Sequence, residues 1–160
     1  MLQVLETSAF ADWVNTAWLG FPFIIALHSI GMAAIVGVSM VVSLHALRPI
    51  AGLESRQLGP AIGLAKAGLV LNATTGLMLF ASRGSEYIVN PAFLIKLVLV
   101  LLGSVLSLAL FQSCARQVPV RLGAPEAAID YPRPLAALNM VAWFGAVASG
   151  RMIAYASLIF

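Results

Sequence analysis

The sequence predicts an all-α polytopic membrane protein, a four-transmembrane-helix bundle preceded by a short N-terminal interfacial helix. Three observations carry that prediction. Hydrophobic residues make up 61% of the 160-residue chain and charged residues only 9%, whereas a soluble domain carries roughly 25% charge. The apolar residues fall into four runs, each longer than the roughly 20 residues needed to cross about 30 Å of hydrocarbon. Pro60, Pro91 and Pro134 head three of those runs and Pro22 falls in the first turn of the other, where a missing N–H costs nothing. No polar stretch is long enough to enclose a core of its own, so residues 1–160 read as a single membrane domain.

The elements follow in order. Within residues 1–18, Leu2, Leu5, Trp13, Val14, Ala17 and Trp18 can share one side while Gln3, Glu6, Asp12 and Asn15 stay wet, the pattern of a short helix lying in the membrane interface. This segment lacks the basic start, apolar middle and small-residue cleavage site of a signal peptide, so it is expected to be retained. The first span covers 21–47 and closes at Arg48 and Pro49, the second covers 60–82, the third 91–114 with Asn90 as its N-cap, and the fourth 134–160.

Basic residues orient the bundle. The connection 48–59 holds Arg48 and Arg56, and the connection 115–133 holds Arg116, Arg121 and Arg133, against Arg83 alone in 83–90. The positive-inside rule makes the first and third connections cytoplasmic and puts both termini outside. The net charge of +3 is thus an orientation signal. A nucleic-acid partner would need clustered Lys and Arg on a soluble face, and the chain offers none. The single Cys114 excludes an internal disulfide and leaves no Cys/His cluster for zinc.

Polar groups inside the spans are the candidates for function, because they are costly in hydrocarbon. Counted from the outer helix ends, His28, Asn72 and Arg151 all come out roughly 11–15 Å deep. Thr74, Thr75, Met78, Lys96, Met152 and Tyr155 occupy the same outer half. Each has a plain structural reading: a histidine can bond a backbone carbonyl, Lys96 can snorkel to the interface, and Asn72 and the threonines can join helices. Arg151 is the hardest to set aside, since no acidic residue lies in the four spans. It is expected to turn inward toward an electron-rich guest beside His28.

Two chemistries suit that layer. In b-type haem, His28 ligates iron while Arg151 and Lys96 neutralise propionates, with Asn72, Thr75 and Tyr155 completing the cofactor site. In copper binding or transfer, His28, Met32, Met78 and Met152 supply imidazole and thioether ligands. A quinone head-group, with carbonyls for such donors, is a further candidate. His45 lies 17 residues beyond His28 on the same helix, roughly 25 Å away, so the two cannot grip one iron; it is assigned to the cytoplasmic interface. Small residues four apart, such as Ala33/Gly37, Gly63/Ala67 and Gly103/Ser107, permit close helix packing and leave room for a homodimer or a larger membrane complex.

The segments HSIGMAAIVG after FPF, TTGLMLFAS, NPAFLIKLVLVLLG and ASGRMIAY resemble the characteristic blocks of an uncharacterised family of small bacterial four-helix inner-membrane proteins, distantly similar to the copper resistance protein D-like membrane domain. The resemblance covers all four spans. It implies a bacterial inner-membrane location and a four-helix bundle, which with the orientation above makes a multi-pass protein with periplasmic termini, and it matches His28, Lys96 and Arg151 to that family's polar positions. The departure is HALR, where Ala46 stands in place of an acidic residue. Taken together, the expectation is a redox-cofactor protein, haem b with electron transfer ahead of copper handling. The reading from a different class is a non-catalytic accessory or assembly subunit.

Overall fold

A computed structural model describes residues 2–48, 50, 55–117 and 132–159, with 2–3, 55–57, 115–117 and 154–159 described by backbone alone. The helices are α1 (Leu2–Glu6), α2 (Ala9–Thr16), α3 (Gly20–Leu47), α4 (Ser55–Ile88), α5 (Pro91–Gln117) and α6 (Arg133–Ile159). Four of them contain stretches long and apolar enough to cross a membrane: Gly20–Leu47, Leu58–Ile88, Pro91–Cys114 and Arg133–Ile153. The architecture is the expected all-helical bundle.

Local chemistry sets the boundaries, and three differ from expectation. The N-terminal segment is two helices, because Ser8 adopts an extended conformation and its hydroxyl accepts from the Ala11 N–H, starting a new helix. Ala11 and Val14 are the residues it buries, while Trp13 and Trp18 face outward. Pro60 does not head α4 but lies inside it, since the chain is already helical from Ser55. At the far end α4 breaks at Arg83 (φ −148°, ψ 36°), one residue beyond the span's predicted limit. Asn90 caps α5 as expected, its side-chain oxygen accepting from the Ala92 N–H at 3.0 Å.

The bundle is built from two intimate pairs, α3 with α4 and α5 with α6. α6 also lies on α3, while α4 and α5 meet only lightly. In the first pair a Cβ on Gly31 would stand 2.7 Å from the Asn72 nitrogen and 2.8 Å from the Gly68 carbonyl oxygen, so backbone touches backbone at that crossing. In the second pair a Cβ on Gly103 would stand 2.9 Å from the Trp143 ring, so glycine makes the slot that the indole fills.

The half of the bundle toward Leu47 and Arg133 holds the main core, with Ile35, Val42, Leu58, Leu110, Phe111 and Trp143 fully enclosed. A polar chain threads it. Ser39 and Ser107 hydroxyls lie 2.8 Å apart, Ser107 donates to Asn139 Oδ1 at 2.9 Å, Asn139 Nδ2 donates to Ser43 Oγ at 2.9 Å, and Trp143 Nε1 donates to Ser107 at 2.9 Å. All five residues are buried and their polar atoms satisfied, which ties α3, α5 and α6 in one register. Asn139→Ala deprives the Ser43 hydroxyl of its Asn139 donor and breaks the chain, while Ser107 keeps Ser39 and Trp143. Its expected cost is about 1–3 kcal/mol, to be read from sodium dodecyl sulfate unfolding in mixed micelles with Asn139→Asp as the polar control.

At the opposite end the short helices are strapped to the broken end of α4. Asn15 Nδ2 donates to the Ser82 carbonyl at 3.3 Å, Arg83 Nε donates to Asn15 Oδ1 at 3.1 Å, and the Ser85 N–H donates to Glu6 Oε1 at 2.6 Å. That last bond holds the Glu6 carboxyl below its ordinary value of 4.5. A carboxylate with a depressed folded pKa stabilises the strap above its unfolded pKa and loses that contribution as pH falls through the folded one. The Ser85 amide protection factor should therefore drop as the solution is acidified below pH 4.5. Glu6→Gln should lower the neutral-pH value and flatten this dependence.

Candidate cofactor-binding site

His28 sits about 12 Å along α3 from Gly20, one turn before the Gly31 crossing, so its ring enters the seam against α4. Gly76 makes the space: a Cβ there would stand 3.1 Å from His28 Cε1. The ring's Nδ1 lies 3.1 Å from the Asn72 carbonyl oxygen and 3.1 Å from Thr75 Oγ1. A carbonyl only accepts, so Nδ1 carries the proton and donates, and Nε2 keeps its lone pair. Thr75 can receive that proton because its own hydroxyl donates to the Leu71 carbonyl at 2.6 Å.

Asn72 braces the ring from the backbone side, its Nδ2 donating to the His28 carbonyl at 2.9 Å. The same amide lies 3.4 Å from both ring nitrogens, long contacts across the ring that a stronger partner at Nε2 can displace. An imidazole with Nδ1–H on a carbonyl and Nε2 open is in the state a metal or an O–H donor requires. Asn72, Thr75 and His28 thus come together as the sequence led us to expect.

Because α4 and α5 meet lightly, a cavity of about 730 Å³ opens beside His28 and Asn72, within the usual range of roughly 300–1,000 Å³ for small-ligand sites. Phe80, Phe93 and Tyr87 wall it toward the Pro91 end, stacked at 6.0 Å for Phe80–Phe93 and 5.2 Å for Tyr87–Phe93. Leu77, Leu97 and Leu101 line the cavity and are also exposed on the outside of the bundle, so that wall is open toward the surrounding lipid. Among the described residues no carboxylate lines it.

Lys96 reaches this cavity instead of snorkelling away from it. Its Cδ and Cε lie 3.5 Å from where a Cβ on Gly150 would be, so the glycine lets the aliphatic stem run across α6. Gly150 and Ile153 complete that side.

Arg151 departs from expectation. It is exposed and does not line the cavity with His28. Its azimuth explains why: Gly150 is the α6 residue that faces Lys96, and one residue on, about 100° round the helix, Arg151 turns away from the cavity. The lysine one helix away holds the inward position.

The methionines do not gather either. Met78 packs with Val14, Ile24 and Leu79 in the small cluster under α2, Met32 is half-buried on α3, and Met152 is exposed. None lines the cavity. Among the described residues no group of three His, Cys, Asp or Glu side chains converges. The Tyr155 side chain lies outside the described residues. His45, assigned to an interface, is buried, and its Nδ1 accepts from the Ile50 N–H at 3.2 Å, so it ties the chain beyond α3 back to the helix.

The sequence reading missed the aromatic wall, because aromatic residues in apolar spans carry no local mark of a shared cavity. It also missed Asn139, although a carboxamide inside a span was a visible signal. Lys66, another cation within α4, is exposed and stands apart from the cavity lining. Comparison of the chain with family models, curated proteins and solved structures finds no match.

Proposed function

We propose that this chain is a multi-pass protein of the bacterial inner membrane whose cavity, in the periplasmic half, binds b-type haem for electron transfer, with His28 Nε2 as the iron ligand. The observation that carries the reading is the hydrogen bond from His28 Nδ1 to the Asn72 carbonyl, which favours the tautomer with an unprotonated Nε2 on a residue that lines the cavity. Apolar and aromatic walls suit a macrocycle, and Lys96 suits one of its carboxylates. When bound, the haem supplies a one-electron couple. His28 and Lys96 would hold it, and Asn72 and Thr75 would set the basicity of the imidazole through their contacts with Nδ1. Copper through His28 and the methionines is less well supported, because the thioethers are scattered.

A second reading, a quinone head-group, is favoured by the opening between α4 and α5, through which a prenyl tail could lie in lipid. In that case Lys96 donates to one carbonyl oxygen and His28 Nε2 accepts from the phenol of the reduced form. Detergent-purified protein expressed with ample haem separates the readings. A Soret band at one equivalent supports the first. Colourless protein that shifts its thermal unfolding with a short-chain ubiquinone supports the second. Protein that binds neither leaves the accessory-subunit role.

A further inference from the structure

The cavity contains a cation whose charge is unmatched: among the described residues no carboxylate pairs with Lys96. A second cation, exposed and outside the cavity lining, lies against one of its wall residues. Arg83 places its guanidinium 5.6 Å over the ring of Phe21, and Phe21 is itself a wall of the cavity. The break in α4 at Arg83 is what turns this side chain toward α3 and α2. Nε is committed to Asn15, which leaves the two terminal amino groups, four N–H donors, available in a fixed fork. The aromatic face beneath and the carboxamide beside it hold that fork over Phe21, within a side chain's reach of the cavity wall.

We propose that Arg83 and Lys96 form the anion-recognition end of the cavity, one over Phe21 and one on the α5 wall, selecting an amphiphilic aromatic ligand with two carboxylates. Arg151 is likewise exposed and outside the lining, but among the described residues it lacks the contact over a wall residue that holds Arg83 in place. The helices α1 and α2 act as a brace for the recognition residue, since Asn15 and the Glu6–Ser85 bond fix the segment that carries Arg83. This inference rests on the cofactor reading of the cavity and adds its polarity: carboxylates toward the α2 end, apolar edge toward Leu101.

Metal-free protoporphyrin IX tests the pair without relying on iron. Its binding to the full-length protein in detergent is followed by fluorescence anisotropy, with empty micelles subtracted, and compared with its dimethyl ester. The wild type should prefer the free acid by about tenfold, and Arg83→Gln and Lys96→Gln should each lower the acid-to-ester ratio by about threefold. Arg151→Gln should behave as wild type, and Arg83→Lys should restore part of the loss. Equal binding of acid and ester by the wild-type protein would overturn the proposal without any variant having to fold. So would an Arg83→Gln protein of native helicity that keeps the full preference. A Soret band with no acid preference sinks the cation pair and spares the haem reading. Acid preference without a Soret band does the reverse, and protein that binds neither porphyrin loses both.

Discussion

His28→Ala is expected to abolish the Soret band of haem-loaded protein, with an affinity loss of at least about a hundredfold. Removal of the ring deletes the one nitrogen in the cavity with a lone pair free for iron. The helices should survive the change, because the α3–α4 crossing is made by Gly31 and Gly68 backbones and not by the imidazole. Far-ultraviolet circular dichroism should therefore match wild type. Added imidazole should restore the band, since the space left by the ring lies against Gly76 and opens to the cavity. Thr75→Val is the graded companion. It removes one of two acceptors of the Nδ1 proton while the Asn72 carbonyl stays, so haem should still bind, about tenfold more weakly, with a lower basicity of the imidazole and a raised midpoint potential. A full Soret band in His28→Ala would remove histidine ligation from consideration and turn attention to the quinone reading.

The fold could be read from the chain because it rests on one-dimensional signals: run length against bilayer thickness, a proline in the first turns of α3, α5 and α6, and asparagine before Pro91. The meeting of His28, Asn72 and Thr75 was legible for the same reason, since depth along a helix follows from counting residues. What counting does not give is azimuth. Arg151 and Gly150 are neighbours in sequence, yet glycine faces Lys96 and arginine faces outward. The methionines share a depth with His28 but lie at other angles around their helices. Arg83 was assigned to a connection, because a break that re-aims a side chain over Phe21 depends on contacts with α2 and α3 that no local pattern encodes. The serine and asparagine chain in the other half was missed through attention to one layer only, since Asn139 is as conspicuous in its span as Asn72.

Glycine substitutions should separate close packing from mere small-residue spacing, with opposite signs for one chemical change. Gly31→Ala puts a methyl 2.7 Å from the Asn72 nitrogen and 2.8 Å from the Gly68 carbonyl, atoms of backbone that cannot rotate away. The α3 and α4 axes must move apart at the level of the site, at a cost of about 1–3 kcal/mol or more. The His28 Nδ1 bond to Asn72, now 3.1 Å, sits one turn from that crossing and should lengthen, so haem affinity should fall together with stability. Gly37→Ala and Gly63→Ala present the contrast, because a Cβ at either position meets nothing within 4 Å. These glycines belong to the four-apart rows that resemble helix-packing motifs, but this bundle does not use them. In both, alanine should be neutral or stabilising by about 0.5–1 kcal/mol through helix propensity alone. Unfolding in mixed micelles ranks all three variants on one scale. Should Gly37→Ala or Gly63→Ala cost as much as Gly31→Ala, their faces are covered in the native membrane, and a second copy or another membrane helix packs there.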